Sequence, residues 1–365
     1  MSRIFISPSR YIQGNNVLST HLNAIQELGN NALLVCDDFV YNLVGQTLET
    51  DLQALGMQII VAHFKGESSQ QAIQSLCDNA HKASIDCVIG LGGGKTLDVS
   101  KAISNQMHVP IAILPTTAAT DAPTSAISVI YSKDGTIDHY QHYAKSPDLV
   151  LVDTGIICKA PPRLFASGIA DAMSTWVEAQ SVIKANGTTL VGASPTLAAQ
   201  AIAKQCEAVL FKYGLEAMEA CINNTVTQAF EDVVEANTLL SGLGFESCGL
   251  AAAHAIHNGF STLQGDIQTL THGEIVAYTT LTQLVLEKRP MEDLDRYITF
   301  YQALNLPTTL KDLKLEHASY DTLLKVGQHA TKENETIHQM GHNYTANDVT
   351  DALFALDKYV RTHHS

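Results

Sequence analysis

An apolar run that ends in glycines and passes straight into a helix constrains this chain more than any other feature. Cys87 to Leu91 reads as a buried strand, and it runs into Gly90-Leu91-Gly92-Gly93-Gly94-Lys95-Thr96-Leu97-Asp98, whose second half opens a predicted helix. Glycine lets the backbone approach a ligand closely and reach positive φ. The helix N-terminus beyond it offers free N–H groups and the positive end of a dipole, which suits a pyrophosphate. Two familiar phosphate loops do not fit. A P-loop needs glycine where Ile89 stands, and the usual dinucleotide fingerprint needs its third glycine where Lys95 stands.

The segments around this turn alternate strand and helix. Ala32 to Cys36, Met57 to His63, Cys87 to Leu91, Pro110 to Leu114 and Leu149 to Asp153 read as strands, and Ser69 to Lys82 has helical apolar spacing. Such repetition predicts a parallel sheet covered on both faces. Ala126 to Tyr140 differs, with two β-prone runs around Lys133-Asp134-Gly135, a hairpin signal. Asp37 follows the first of the predicted strands. A carboxylate there can accept from ribose hydroxyls and would repel a 2′-phosphate, favouring NAD over NADP.

Beyond Ala160-Pro161-Pro162 the pattern becomes helical, through Leu164 to Ile183, Pro195 to Phe211 and Val226 to Leu243. Thr345-x-x-Asp348 signals the start of the final helix. We therefore expect residues 1–160 to form an α/β dinucleotide-binding domain with a Rossmann-like parallel sheet. Residues 161–365 should form an all-helical, metal-binding domain. A length of 365 residues accommodates two such units.

Composition narrows the function classes. The net charge of −15 argues against electrostatic binding to nucleic acid or to an anionic membrane. No apolar run reaches bilayer length, and the N-terminus lacks the apolar stretch of a signal peptide. The seven cysteines are scattered without a C-x-x-C pair, so neither a disulfide framework nor a thiolate zinc site is expected, and a cytoplasmic setting is.

Asp171 lies inside an apolar helical pattern, GIADAMSTWVEA. A carboxylate facing a core is costly unless it is paired or bound to a cation. His254 and His257 lie in GLAAAHAIHNG and His272 in LTHGE, among small residues that let backbones come close. Asp171, His254 and His272 would supply one oxygen and two nitrogens and leave positions open, as a catalytic zinc requires. Spacing alone does not single out this trio among fifteen histidines.

These motifs together resemble the iron-containing alcohol dehydrogenase superfamily and, within it, the glycerol dehydrogenases. The resemblance rests on SPSRYIQG, GLGGGKTLDVSKA, LPTTAATDAPTSAISVIY, GIADAMSTWVEA, EANTLLSGLGFESCGLAAAHAIHNG and HGEIVAYTTLTQLVLE, in matching order over nearly the whole chain. It implies a dehydroquinate synthase-like fold with the site between an α/β and a helical domain. It assigns the metal to Asp171, His254 and His272, and the cofactor NAD to Asp37, Gly93, Gly94, Lys95, Asp98, Thr116, Ala119, Ser125, Ile127 and Tyr131, with Thr120 beside Ala119.

By the same resemblance Asp121 contacts the substrate, and Asp121 and His254 serve catalysis. The implied reaction is zinc-assisted oxidation of glycerol and related vicinal diols to dihydroxyacetone, with hydride leaving C2 for NAD. A homo-oligomer, by resemblance an octamer, is implied as well. Many iron-dependent members carry a histidine four residues after the Asp; Thr175 stands there, which shifts the expected ion from iron to zinc. Glycerol-1-phosphate dehydrogenase and dehydroquinate synthase are the competing readings. Both bind anionic substrates, and no Lys/Arg cluster flanks the expected ligands. His257 could relay a proton or simply pack its helix.

Overall fold

In the computed structural model, which describes residues 2–132 and 136–364, eight strands separate into two sheets. They are β1 (Arg10–Gly14), β2 (Asn31–Cys36), β3 (Gln58–His63), β4 (Cys87–Gly92), β5 (Ile111–Pro115), β6 (Ile127–Tyr131), β7 (Ile137–His142) and β8 (Leu149–Asp153). Six run parallel in the order β1-β8-β5-β4-β2-β3, and β6 pairs antiparallel with β7. The central strands β4, β5 and β8 are buried throughout, which is why their sequences are unbroken apolar runs.

Five of the six parallel strands were legible, but β1 was not. RYIQG sits on the sheet edge, bonded only to β8, so it needs no continuous apolar run. The β6–β7 ribbon matches the hairpin reading, while the expected turn at Lys133-Asp134-Gly135 lies outside the described residues.

The main helices are α1 (Gln46–Ala54), α2 (Gln70–Lys82), α3 (Gly94–Met107), α4 (Pro162–Ala185), α5 (Leu197–Ile222), α6 (Gln228–Glu235), α7 (Ser241–Cys248), α8 (Ala252–Phe260), α9 (His272–Leu286), α10 (Met291–Ala303), α11 (Tyr320–Ala330) and α12 (Ala346–His363). Ser69 caps α2 by accepting from Ala72 N, and Thr345 with Asp348 forms the expected capping box of α12. The helical segment expected over 226–243 is α6 and α7, continuous through a widened π turn at Ala236–Leu240. Apolar periodicity does not register the extra residue of such a turn.

Successive residues of β2 serve different cores, as a two-faced sheet requires. Leu34 and Cys36 pack with Ile25, Leu48 and Leu52 on one face. Leu33 and Val35 belong to a core that continues through Val150 into Phe165, Ile169, Ile256 and Tyr278 of the helical half. All seven cysteines are buried and unpaired. Among the described residues, no single helix is long and apolar enough to cross a membrane.

One contact fixes how the helical half meets the sheet. A Cβ added at Gly168 in α4 would lie 1.7 Å from the Ala118 carbonyl oxygen, so glycine alone lets this helix seat on the loop after β5. An interior helical Gly→Ala change ordinarily stabilises by about 1 kcal/mol. Here overpacking should reverse the sign, by about 1–3 kcal/mol. Gly168→Ala is expected to lower the urea midpoint of unfolding; a raised midpoint would show that the loop yields freely.

Candidate active site

The carboxyl ends of β2, β4 and β5 open onto the helical half. The connection from β2 runs to β3 on one side and that from β4 to β5 on the other, so the crevice between β2 and β4 is a topological switch point. Asp37 follows β2 and caps the next turn by accepting from Val40 N at 2.8 Å. The glycine turn follows β4. Gly92 has φ +155°, and a side chain there would press on Thr96, 3.0 Å from its Cβ. Gly93 and Gly94 differ. A Cβ at Gly93 would meet only Thr117 Oγ1 at 3.9 Å, and one at Gly94 only Thr120 Oγ1 at 3.5 Å. The bare backbone at the start of α3 therefore borders open space of the kind a pyrophosphate fills.

The remaining residues expected at the cofactor divide in two. Thr116 is tied back to the turn by its N–H to Gly92 O at 3.0 Å, and Ala119 and Thr120 are half-buried on the same loop. Lys95 pairs with Glu67 at 2.7 Å and lies over the Tyr131 ring. Asp98, Ser125 and Ile127 are buried. The Asp98 carboxylate takes Lys101 Nζ at 3.0 Å and Val129 N at 3.0 Å. Lys101 also donates to Ala122 O and Ile127 O. This buried ion pair holds β6, and with it Ser125, Ile127 and Tyr131, against α3.

Asp171 reaches the opposite wall from the middle of α4. His272 Nε2 lies 3.1 Å and His254 Nε2 3.5 Å from its Oδ1, and one ligand atom from each residue falls within 4.8 Å of the others. Its Oδ2 accepts from the Asp121 backbone N–H at 3.3 Å. Burial pushes the Asp171 carboxyl up, but the His272 and His254 imidazoles outweigh it and hold it well below the usual range. Burial likewise pulls the His254 imidazole down, and Glu178 with Asp171 raises it well above its ordinary value. Asp121 is pushed well up by burial and by the Asp171 charge.

Two supporting residues, Glu178 and Glu274, were missed in the sequence. Glu178 lies seven residues after Asp171, on the same face of α4 two turns on. Its Oε2 accepts from His254 Nδ1 at 2.6 Å, and its Oε1 accepts from Ala251 N at 2.8 Å and His254 N at 3.0 Å. The start of α8 has no side-chain cap of its own, so Glu178 caps it and orients His254 together. Glu274 forms a capping box with Thr271 and pairs through both oxygens with Arg163, fixing His272 at the first position of α9. His257 Nε2 meets His272 Nδ1 at 3.0 Å. Burial, with the neighbouring His272 and His254, keeps the His257 imidazole well below its ordinary value, which favours a neutral ring. A buried Glu in phase with Asp171, and Thr-x-x-Glu around the histidine, were the available signals.

Comparison with known proteins agrees with this architecture. A model of the iron-containing alcohol dehydrogenase family matches residues 8–154. A glycerol dehydrogenase of Escherichia coli O6:H1 is 43% identical over 98% of this chain and 98% of its own. A glycolaldehyde reductase of Halobacterium salinarum is 41% identical over 99% of each. The crystal structure of glycerol dehydrogenase from Schizosaccharomyces pombe superposes with a TM-score of 0.96 at 40% identity, covering 99% of this chain and 92% of that one. Likeness of that extent, over the sheet, the glycine turn and the helices that carry the cluster, means that this chain belongs to the iron-containing alcohol dehydrogenase family.

Proposed function

We propose that the protein oxidises glycerol and related vicinal diols to dihydroxyacetone and its analogues, with NAD as hydride acceptor and a zinc ion held by Asp171, His254 and His272. The observation that carries this reading is the convergence of one buried carboxylate and two Nε2 atoms on the wall facing the glycine turn. Full-length likeness to glycerol dehydrogenases supports the substrate class.

The residues fit a divalent cation. Both histidines are tied through Nδ1, His254 to Glu178 and His272 to His257, which leaves Nε2 of each turned to Asp171. Imidazole and carboxylate without thiolate suit zinc. Thr175 occupies the place of a fourth protein ligand, and its hydroxyl is taken up by Ser241 at 2.9 Å. When bound, the ion supplies Lewis acidity that lowers the pKa of a substrate hydroxyl, and NAD supplies the hydride acceptor.

The chain's own groups do the positioning. Gly93 and Gly94 present backbone to the pyrophosphate, and Asp37 accepts from the adenosine ribose. Asp121 accepts a hydrogen bond from a terminal substrate hydroxyl. Holding the reacting carbons at contact distance accounts for much of the rate. Among the described residues, no Lys or Arg side chain bonds to Asp121, Asp171, His254 or His272, which disfavours a phosphorylated substrate.

The 41% identity with a glycolaldehyde reductase favours one second reading, reduction of a small hydroxyaldehyde. An assay of NADH formation with glycerol, propane-1,2-diol, glycerol-1-phosphate and ethanol, and of NADH consumption with glycolaldehyde, separates them. Turnover of the first two is expected. Activity confined to glycerol-1-phosphate would overturn the proposal, and activity confined to glycolaldehyde would install the second reading.

His272→Ala should abolish stoichiometric zinc binding measured by elemental analysis; full retention would show that the ligand set is wrong. Glu178→Gln should weaken zinc retention roughly 10- to 100-fold in competition with a chelator, because the orienting carboxylate is lost. Asp121→Asn should lower kcat/KM for glycerol by about tenfold or more while NADH binding holds. Loss of NADH binding alone would place Asp121 at the cofactor instead.

A further inference from the structure

Two hydroxyl groups behind the site depart from what helical hydroxyls ordinarily do. A serine or threonine inside a helix usually bonds back to a carbonyl of the preceding turn. Ser181, Thr238 and Thr280 do so, to Val177 O, Val234 O and Val276 O. Thr175 in α4 and Ser241 in α7 are both almost wholly buried, yet they bond instead to each other, at 2.9 Å. Ser241 Oγ then donates to Asp121 Oδ2 at 3.1 Å.

The chain has a fixed polarity. Ser241 Oγ gives its one proton to Asp121 Oδ2, so the Ser241 oxygen is left to accept from Thr175. The π turn at Ala236–Leu240 inserts an extra residue immediately before Ser241, and this sets the direction in which Ser241 leaves its helix. Asp121 is thereby held at two points, through its backbone N–H to Asp171 Oδ2 and through its own Oδ2 to Ser241. Rotation about χ2 of an aspartate is otherwise broad and roughly two-fold. With Oδ2 fixed, Oδ1 of this half-buried residue is the oxygen left for a ligand.

We propose that Ser241, braced by Thr175, is a positioning residue that aims Asp121 at one substrate hydroxyl and sets the preference for a triol over a diol lacking that hydroxyl. This rests on the glycerol reading given above. A site built to bond a hydroxyl discriminates strongly against the analogue without it, because its own polar group then stays unpaired. Propane-1,2-diol keeps the two vicinal hydroxyls of glycerol and lacks the third. The ratio of kcat/KM for glycerol over propane-1,2-diol therefore reports how well Asp121 is aimed.

The test compares that ratio in the wild type, Ser241→Ala, Thr175→Val and Thr175→Ser, with zinc content and NADH affinity measured on each. Ser241→Ala is expected to lower kcat/KM for glycerol by about tenfold or more, mainly through KM, and to leave propane-1,2-diol nearly unaffected. Thr175→Val, which keeps the shape and removes the hydroxyl, should move the ratio in the same direction by less. Thr175→Ser should restore it to within about twofold of the wild type, as a retained hydroxyl bond requires. Zinc content and NADH affinity should not change. A ratio unmoved in Ser241→Ala and Thr175→Val overturns the proposal, as does a parallel fall for both substrates accompanied by zinc loss. A wild type that oxidises both substrates without favouring glycerol overturns it while leaving the proposed reaction class intact. A wild type that oxidises neither overturns the glycerol reading itself.

Discussion

A carboxylate buried in the middle of a 24-residue helix is the constraint around which this protein is arranged. Asp171 cannot sit in an apolar interior without opposite charge, and the fold brings that charge from three directions. His254 comes from α8, His272 from the first turn of α9, and the backbone N–H of Asp121 from the loop after β5. Each of these depends in turn on a second buried carboxylate or a close backbone approach. Glu178 caps α8, Glu274 caps α9 and binds Arg163, and Gly168 lets α4 settle on the loop.

This arrangement explains why the site faces a parallel sheet. The strand ends present Asp37, Gly93 and Gly94 to a crevice where the connections leaving β2 and β4 diverge, and the helical half supplies the opposite wall. The loop from Thr116 to Ser125 belongs to both. It starts at β5, is bonded to the glycine turn through Thr116, and is held from behind by Asn237 Nδ2 on Ala118 O and by Thr124 Oγ1 on Thr238 O. Held at both ends, this loop ties the glycine turn to the helical wall.

Much of this is legible in the sequence. The central strands announced themselves as unbroken apolar runs, because a strand covered on both faces has no polar side. The glycine turn was legible because few other uses need bare backbone between a strand and a helix. The roles within it were not. Positive φ belongs to Gly92, whereas Gly93 and Gly94 are small because of the space in front of them. Asp98 shows the opposite limit, since a carboxylate one helical turn into a phosphate loop looks like a binding group, and the structure commits both its oxygens to Lys101 and Val129.

By itself the sequence determined the alternation of strands and helices, the absence of a cysteine framework, and Asp171, His254 and His272 as residues in costly apolar settings. Those are properties of local pattern and solvation, which neighbours along the chain suffice to express. Only the tertiary structure decided that β1 closes the sheet edge, that a π turn interrupts the helix before Ser241, and that Glu178 serves both as the cap of α8 and as the anchor of His254. It also decided that Thr175 and Ser241 bond across two helices to Asp121. Such partners are far apart in the chain and come together only by packing, so no local periodicity carries a trace of them.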